Sequence, residues 1–240
     1  MSKGFHHDSI SPAMDAVYRL GKESGVWDTV ISTDPDLIRK PATGKPGGGF
    51  VQLNLYNFDA IVFASSTGET PLDDQQKKDL LSFVHDDGKG FVGIHAALDS
   101  NYKWPEYAEM IGGWFDGHPW GTFDAPLIVE DPNFPAMRHF PAALTKRDEI
   151  YQPKSWSRDN VNVLMRLDDS KLDYTIKNHV REDHDFAVAW SKMYGKGRVF
   201  YSTLGHTRES WDDPDVQKMY VEAIKWVLRR TEGSSTSHKR

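Results

Sequence analysis

Short apolar runs alternate with amphipathic stretches in the first half of the chain, and this pattern predicts strands and helices in turn. Residues 59–64 and 91–94 are apolar runs of strand length. Between them, Leu80, Phe83 and Val84 fall on one face of a predicted helix. Strands that alternate with helices indicate a mainly parallel sheet covered on both faces, as in α/β proteins.

The second half of the chain contains more predicted strands and fewer helices. Apolar or alternating runs occupy residues 125–130, 161–167, 186–194 and 198–204. The last two runs are separated by Gly195-Lys-Gly197, which is typical of a hairpin turn. We therefore expect an antiparallel element at one edge of the sheet.

Capping signals mark the two terminal helices of the predicted domain. Ser11 precedes Pro12, and Asp213 precedes a second proline, which is the usual order at a helix N-terminus. Residues 231–240 are polar and rich in serine, so we predict a disordered tail. The remainder, residues 1–230, is expected to form a single domain.

Composition excludes several classes of function. The 240 residues are 38% hydrophobic and 27% charged, with a net charge of -6 and no basic stripe, which argues against a nucleic-acid partner. The chain has no cysteine, so thiolate catalysis and cysteine-ligated zinc are excluded. No apolar run approaches the roughly 20 residues that span a bilayer. We expect a soluble protein without membrane contact, either cytoplasmic or periplasmic.

Two of the predicted strands lead into a histidine, His95 and His206. Because parallel strands end at the same edge of a sheet, where ligands bind in open α/β folds, we expect the two imidazoles to lie close together. Asp99 and Glu209 follow each histidine by a few residues. With no cysteine and no serine elbow, these four residues are expected to act in general acid–base catalysis, oxyanion stabilisation or metal binding rather than in covalent catalysis. His95 is expected at the mouth of the crevice; the alternative is a half-buried structural histidine bonded to a carbonyl.

A divalent-metal site in the same crevice is the competing interpretation. His95, His118 and His206 are the main candidate ligands, and His7, Asp8 and Asp99 could add further nitrogen and oxygen donors for zinc or manganese. No pair has a strong metal-binding spacing such as H-E-x-x-H, so the cofactor stays open.

Five segments of the chain resemble the trehalose-utilisation, or ThuA-like, family. The segments are Lys3-Gly-Phe-His-His-Asp-Ser-Ile10, Phe91-Val-Gly-Ile-His-Ala-Ala97, Trp104-Pro-Glu-Tyr107, Gly195-Lys-Gly-Arg-Val-Phe-Tyr201 and Leu204-Gly-His-Thr207. They occur in the family's order and cover nearly the whole chain up to about Arg229. Taken together they are specific, although no single segment is.

The resemblance implies a three-layer, flavodoxin-like fold similar to that of class I glutamine amidotransferases. It places His95 where those enzymes carry a nucleophilic cysteine and His206, followed by Glu209, near their catalytic histidine and glutamate. Amidotransfer through a thioester is thereby excluded. The family has a strand before the segment that begins at Gly4, and we expect that this first strand is missing here.

Family context also implies bacterial disaccharide catabolism, with oxidised keto-sugars as substrates. Six further side chains are expected to bind the substrate: His7, Asp8, Trp104, His118, Glu149 and Tyr151. We therefore expect a hydrolase or isomerase that acts on a small-molecule sugar, with a homo-oligomer as a further expectation. A non-catalytic sugar-binding module is the alternative, since fold alone does not define function.

Overall fold

The computed structural model describes residues 3–240, and within them helices and strands follow one another largely as predicted. The helices are α1 (Ile10–Ser24), α2 (Asp74–His85), α3 (Pro105–Ile111) and α4 (Pro214–Val227). The strands are β1 (Ala60–Ala64), β2 (Gly90–Ile94), β3 (Trp114–Phe115), β4 (Thr122–Val129), β5 (Ala143–Glu149), β6 (Pro153–Lys154), β7 (Asn162–Leu167), β8 (Ala187–Tyr194) and β9 (Gly197–Ser202). Together they form an α/β protein with a central sheet.

The central sheet is mixed, where a mainly parallel one was expected. Seven strands lie in the order β1-β2-β9-β8-β7-β4-β5, and β3 pairs with β6 separately. The pairs β1–β2 and β2–β9 are parallel, whereas every pair from β9 across to β5 is antiparallel. The predicted β8–β9 hairpin is therefore the start of an antiparallel half rather than a single added edge strand. Only two residues connect β8 to β9, and the longer connections of this half, residues 130–142 and 168–186, contain no α-helix.

Helices cover both faces of the sheet. Helices α1 and α4 contact each other on one face, and α2 and α3 contact each other on the other. Strand β2 shows why both faces need cover: Val92 packs into one hydrophobic cluster and Phe91 into the other. Because side chains alternate along a strand, an apolar run such as this one requires two apolar neighbours.

Local sequence signals define the helix ends. Asp73 and Gln76 form a reciprocal capping box at the start of α2, and the Asp213 carboxylate accepts hydrogen bonds from two backbone N–H groups at the start of α4. Gly25 ends α1 in the left-handed conformation, with φ of 65°. No helix within residues 3–240 combines the length and the apolar character needed to cross a membrane.

Two predictions concern the ends of the chain. Residues 231–240 contain no helix or strand, yet they lie against the protein where a disordered tail was predicted: His238 Nε2 is 3.1 Å from Glu130 Oε2, and Asn162 Nδ2 donates to the Ser234 carbonyl. The missing first strand was predicted ahead of Gly4, and residues 1 and 2 at that end lie outside the described part of the chain.

Candidate functional site

The carboxyl edge of the parallel half brings His95 and His206 together. Strands β2 and β9 are parallel neighbours in which Ile94 pairs with Ser202, so both chains leave the sheet at the same edge. His95 follows Ile94 directly, and His206 lies four residues after Ser202. His95 Nε2 and His206 Nδ1 are 3.0 Å apart.

His95 forms the floor of this site rather than its mouth. Its side chain is 0% exposed, and its backbone φ is 44°, a left-handed conformation that costs energy for a residue with a Cβ. Its Nδ1 lies 2.6 Å from the Thr203 carbonyl oxygen, and because a carbonyl can only accept, Nδ1 carries the proton. His95 Nε2 is therefore the ring nitrogen that faces His206 and Glu149.

A buried carboxylate holds the segment that carries His206. Asp148 Oδ1 accepts a hydrogen bond of 3.0 Å from the His206 backbone N–H, and Oδ2 accepts from the Gly205 N–H and the Ser210 hydroxyl, both at 2.8 Å. Gly205 has φ of 123°, and a Cβ there would lie 3.0 Å from the Trp211 ring. These constraints fix the backbone from which the His206 imidazole projects.

Glu149, the last residue of β5, supplies the carboxylate of the site. Its Oε2 lies 3.3 Å from His206 Nδ1 and 3.6 Å from His95 Nε2. After β5 the chain turns toward β9, where the Tyr151 N–H donates to the Thr203 hydroxyl and that hydroxyl donates to the Glu149 carbonyl. Three strands separate β5 from β9 in the sheet. Glu149 therefore reaches the imidazoles only because the chain after β5 returns to the end of β9.

His7 closes the cluster from the segment before α1. Its ring centroid is 4.9 Å from that of His95 and 5.1 Å from that of His206, with both contacts edge to face. The His7 side chain is 7% exposed, and its Nδ1 has no hydrogen-bond partner among the described residues. A buried imidazole nitrogen without a partner is unusual, because its desolvation is then uncompensated.

Burial and mutual repulsion lower the pKa of two of the imidazoles, His7 and His206. Burial, with repulsion from His95 and His206, lowers the pKa of His7 to about 4. Burial and His95 also lower the pKa of His206. Burial alone would raise the pKa of the Glu149 carboxyl, but the hydrogen bond to His95 and the nearby His206 and His118 outweigh it, so that pKa is lowered. Near neutral pH the site holds uncharged nitrogen donors and one carboxylate.

Asp99 is a second carboxyl group with the opposite tendency. Burial raises its pKa, and a hydrogen bond of 2.6 Å from the Tyr102 hydroxyl opposes that rise in part. Asp99 and Glu149 also repel each other electrostatically. Two carboxyl groups whose environments separate their pKa values are the usual arrangement for an acid and a base in one site.

The donor set also fits a divalent cation. One ligand atom from each of His7, His95, Glu149 and His206 lies within 4.8 Å of the other three. Donors about 2.1 Å from a tetrahedral zinc ion are about 3.4 Å apart, which is close to the 3.0, 3.3 and 3.6 Å separations seen here. The bond from His95 Nδ1 to a carbonyl is the kind of outer contact that orients a metal-binding imidazole.

The remaining predicted residues divide into those near the cluster and those away from it. The Tyr151 ring packs 4.3 Å from that of His95, and His118 Nδ1 lies 3.4 Å from Glu149 Oε1, whereas His95 and His206 are nearest to Oε2. Asp8 is exposed beside His7 and lines a neighbouring cavity. His118, predicted as a metal ligand, is therefore not one of the four converging residues.

Two predicted residues lie outside the cluster. Trp104 was expected to bind substrate, but it is buried in the hydrophobic cluster beneath α2 and α3, where it packs against Tyr107. Glu209 was expected beside His206, but its side chain is exposed at the start of a short 3₁₀ helix, and Glu149 is the carboxylate that contacts the imidazoles.

Sequence reasoning missed Asp148 and the central place of His7 and Glu149. Asp148 and Glu149 are adjacent acidic residues at the end of a strand that is otherwise alternating and partly exposed. An acidic pair in such a position, followed by the apolar Ile150 and Tyr151, is a signal that could have marked a turn toward the interior.

Comparisons with known proteins agree with this architecture. The ThuA family model, described as trehalose utilisation, matches residues 1–227. A ThuA-like protein from Bacteroides uniformis is 19% identical, with a TM-score of 0.72 over 94% of this chain and 88% of that chain. A ThuA-like protein from Parabacteroides merdae is also 19% identical, with a TM-score of 0.64 over 98% of this chain and 94% of that one.

The fold also recurs within a larger enzyme. A β-galactosidase from Bacillus circulans sp. alkalophilus is 10% identical, with a TM-score of 0.50 over 95% of this chain but 28% of the β-galactosidase chain. At these identities the likeness extends to the fold. No curated protein matches the chain.

Proposed function

The chain belongs to the ThuA, or trehalose-utilisation, family, and on that premise we propose that it is an enzyme of carbohydrate catabolism that acts on a disaccharide or keto-sugar. The observation that carries the proposal is the convergence of His7, His95, His206 and Glu149 at the carboxyl edge of the sheet. Three imidazoles and one carboxylate, gathered from four separate segments, are a costly arrangement in a protein interior unless they serve chemistry.

Acid–base chemistry on a keto-sugar uses this arrangement directly. A carbon next to a carbonyl carries an acidic proton, and the neutral His206 imidazole, 23% exposed, is the group of the pair that substrate can reach. The C–H bond breaks, the proton moves to His206, and the electron pair shifts onto the carbonyl oxygen as an enediolate. Buried His95 then acts through its contact with His206, rather than as the first base.

Glu149 and Asp99 complete this scheme with different tasks. Glu149 remains ionised and stabilises the imidazolium that forms on His206, because its Oε2 lies 3.3 Å from Nδ1. Asp99, with a raised pKa, donates a proton toward the developing oxyanion. Glu209 keeps only its predicted role of binding substrate hydroxyls from the exposed rim.

A divalent metal in the same cluster is the second candidate, favoured by the unpartnered Nδ1 of His7 and the spacing of the four donor atoms. His7, His95, His206 and Glu149 would hold the ion, and three nitrogens with one oxygen suit zinc better than manganese. Such an ion supplies Lewis-acid polarisation of the sugar carbonyl or hydroxyl. The residues then serve as ligands that are already deprotonated near neutral pH.

We also propose that the sheet corresponds to that of class I glutamine amidotransferases. His95 directly follows β2 at positive φ, which is the kind of sharp turn that presents a nucleophile in that fold. Strand β1 pairs with β2 alone among the described strands, so its outer edge could accept a further strand.

Turnover of trehalose, sucrose and their keto forms by untagged protein tests the proposal. We expect product from at least one of them, with a loss of about 10²-fold or more in His95→Ala. Elemental analysis and chelation divide the two candidates: bound zinc with activity lost to a chelator favours the metal, and metal-free activity favours acid–base chemistry. Binding without product would replace both with a sugar-binding module.

A further inference from the structure

The tail formed by residues 231–240 lies against the protein without a helix or strand of its own. Its first three residues are held by an arginine and an indole, side chains that do not titrate near neutral pH. Arg198 Nη1 donates to the Thr231 carbonyl at 3.0 Å, and the Trp226 indole N–H donates to the Gly233 carbonyl at 3.1 Å. This first part of the tail is therefore fixed independently of the histidine that follows it.

The second part of the tail docks through His238, whose two ring nitrogens both face oxygen atoms. Nδ1 lies 2.9 Å from Asn162 Oδ1, and Nε2 lies 3.1 Å from Glu130 Oε2. The orientation of the Asn162 amide is fixed, because its Nδ2 donates to the Asp131 carboxylate and to the Ser234 carbonyl. The atom that faces Nδ1 is therefore the amide oxygen, which can only accept a hydrogen bond.

The carboxylate at the other ring nitrogen is also an acceptor. Glu130 is 10% exposed at its side chain, with Arg158 Nη1 2.5 Å from Oε2 and Arg166 Nε 2.7 Å from Oε1. Two guanidiniums so close favour the ionised form of a carboxyl group. With an acceptor at each ring nitrogen, His238 makes both contacts only as an imidazolium, the form that has two N–H donors.

The charges around His238 also favour a cation at this position. The surrounding network consists of the carboxylates of Glu130, Asp131, Asp169 and Asp185 and the guanidiniums of Arg158, Arg166 and Arg240. Four carboxylates against three guanidiniums leave one negative charge uncompensated, and an imidazolium balances it. A neutral imidazole instead turns a lone pair toward one of the two oxygen atoms and loses that hydrogen bond.

We propose that residues 234–240 form a proton-dependent latch, docked on Asn162 and Glu130 while His238 is an imidazolium and released when His238 loses a proton. Docking takes up a proton, so the docked tail is favoured at low pH and is lost as the pH rises. None of these contacts involves the candidate functional site, so the latch and the proposed function can fail independently.

Backbone ¹⁵N relaxation of the full chain, measured by NMR at about pH 6 and about pH 8.5, tests the latch. We expect residues 235–240 to be ordered at the lower pH and flexible at the higher one. The ratio of released to docked tail should rise by up to about tenfold per pH unit, as for the loss of a single proton. Residues 231–233 should stay ordered at both pH values. Both ring nitrogens of His238 should carry a proton at about pH 6 in ¹⁵N spectra of the imidazole.

Two variants of His238 separate charge from shape. Glutamine is uncharged at both pH values, so the order of residues 235–240 in His238→Gln should not depend on pH. Lysine keeps its charge, so His238→Lys should stay docked at both. His85→Gln is the matched control, because His85 Nδ1 lies 2.7 Å from Asp86 Oδ1 at the end of α2. That variant should keep the wild-type response of the tail.

Three results would overturn the latch. The first is equal order of residues 235–240 at the two pH values in the wild type. The second is a loss of order in His238→Gln as large as in the wild type, because a group other than His238 would then be the one that titrates. The third is a singly protonated His238 in a tail that is ordered.

Discussion

The parallel and antiparallel halves of the sheet contribute different chemistry to one site. The parallel half, formed by β1, β2 and β9, ends in the two imidazoles of His95 and His206. The antiparallel half, formed by β8, β7, β4 and β5, delivers the carboxylates of Glu149 and Asp148. The parallel half thus fixes where the site lies, and the antiparallel half fixes its charge and holds the His206 segment in place.

The largest effect should come from the carboxylate of the antiparallel half. We expect Glu149→Gln to lower kcat/KM for a keto-disaccharide about 10²- to 10⁴-fold, because the variant cannot stabilise the imidazolium or bind a metal as an anion. Glu209→Gln is the matched comparison and should lose no more than about tenfold, since Glu209 is exposed and apart from the imidazoles and contributes only a hydrogen bond to a substrate hydroxyl. Equal losses in the two variants, measured by steady-state kinetics, would contradict this division between the halves.

The parallel half was largely predictable because its signals are local. The apolar run at residues 91–94 is buried on both faces, and such runs indicate strands that adjoin helices. Two strand ends on one edge then place His95 and His206 together without knowledge of the side-chain packing. Local signals could not predict how deeply His95 is buried, because the contact between His7 and His95 depends on tertiary packing. His95 was therefore predicted at the mouth of the crevice, whereas it lies at the bottom of the site.

The antiparallel half was less predictable because its contribution depends on a long-range crossing. Its strands were recognised, but their order in the sheet was not. Three strands lie between β5 and β9 in that order. Only the contact between Tyr151 and Thr203 reveals that the chain after β5 returns to the site. Glu209, close to His206 in sequence, was therefore expected beside the imidazoles, where the structure has Glu149.

The second-largest effect should come from Asp148, through which the antiparallel half positions the His206 segment of the parallel half. Asp148→Asn preserves shape, but its amide N–H₂ would face N–H and O–H donors, so we expect the free energy of unfolding to fall by about 1–3 kcal/mol. The melting temperature should then drop by a few degrees. Because the Gly205 backbone next to His206 loses its acceptor, kcat should also fall more than KM rises.

Ser210→Ala is the control for this positioning role. It removes one donor to Asp148 and leaves the bonds from the Gly205 and His206 backbone intact. The stability loss should be smaller and kcat nearly unchanged. If Asp148→Asn lost stability with no change in kcat or in the NMR titration of His206, Asp148 would be structural without positioning the imidazole.

His7 belongs to neither half of the sheet, and its lowered pKa makes the free energy of unfolding depend on pH. The pKa of His7 is about 4 in the folded protein and about 6.5 when unfolded, so the unfolded chain binds more protons between these values. The free energy of unfolding of metal-free protein should therefore fall as pH is lowered from 6.5 to about 4. Glu149, whose pKa is lowered, adds its own loss below about 4.5.

Denaturant titrations at several pH values measure this slope. His7→Gln, which removes the buried imidazole and keeps an amide, should flatten the change between pH 6.5 and about 4, while the loss below 4.5 persists. A slope identical in wild type and variant would show that His7 is free to protonate in the folded state, contrary to its burial between two imidazoles.

The smallest expected effect concerns Asp99, the candidate acid that the parallel half contributes to the site. The Tyr102 hydroxyl donates to Asp99 and opposes the rise in the pKa of that carboxyl caused by burial. Tyr102→Phe removes the opposing bond, so the pKa of Asp99 should rise further and the basic limb of kcat/KM should move to higher pH. The maximum should change by less than about threefold, and Tyr56→Phe, an exposed tyrosine elsewhere, should leave the profile in place. A basic limb that stays fixed in Tyr102→Phe would mean that Asp99 is not the titrating acid, and both carboxyl functions of the site would then belong to the antiparallel half.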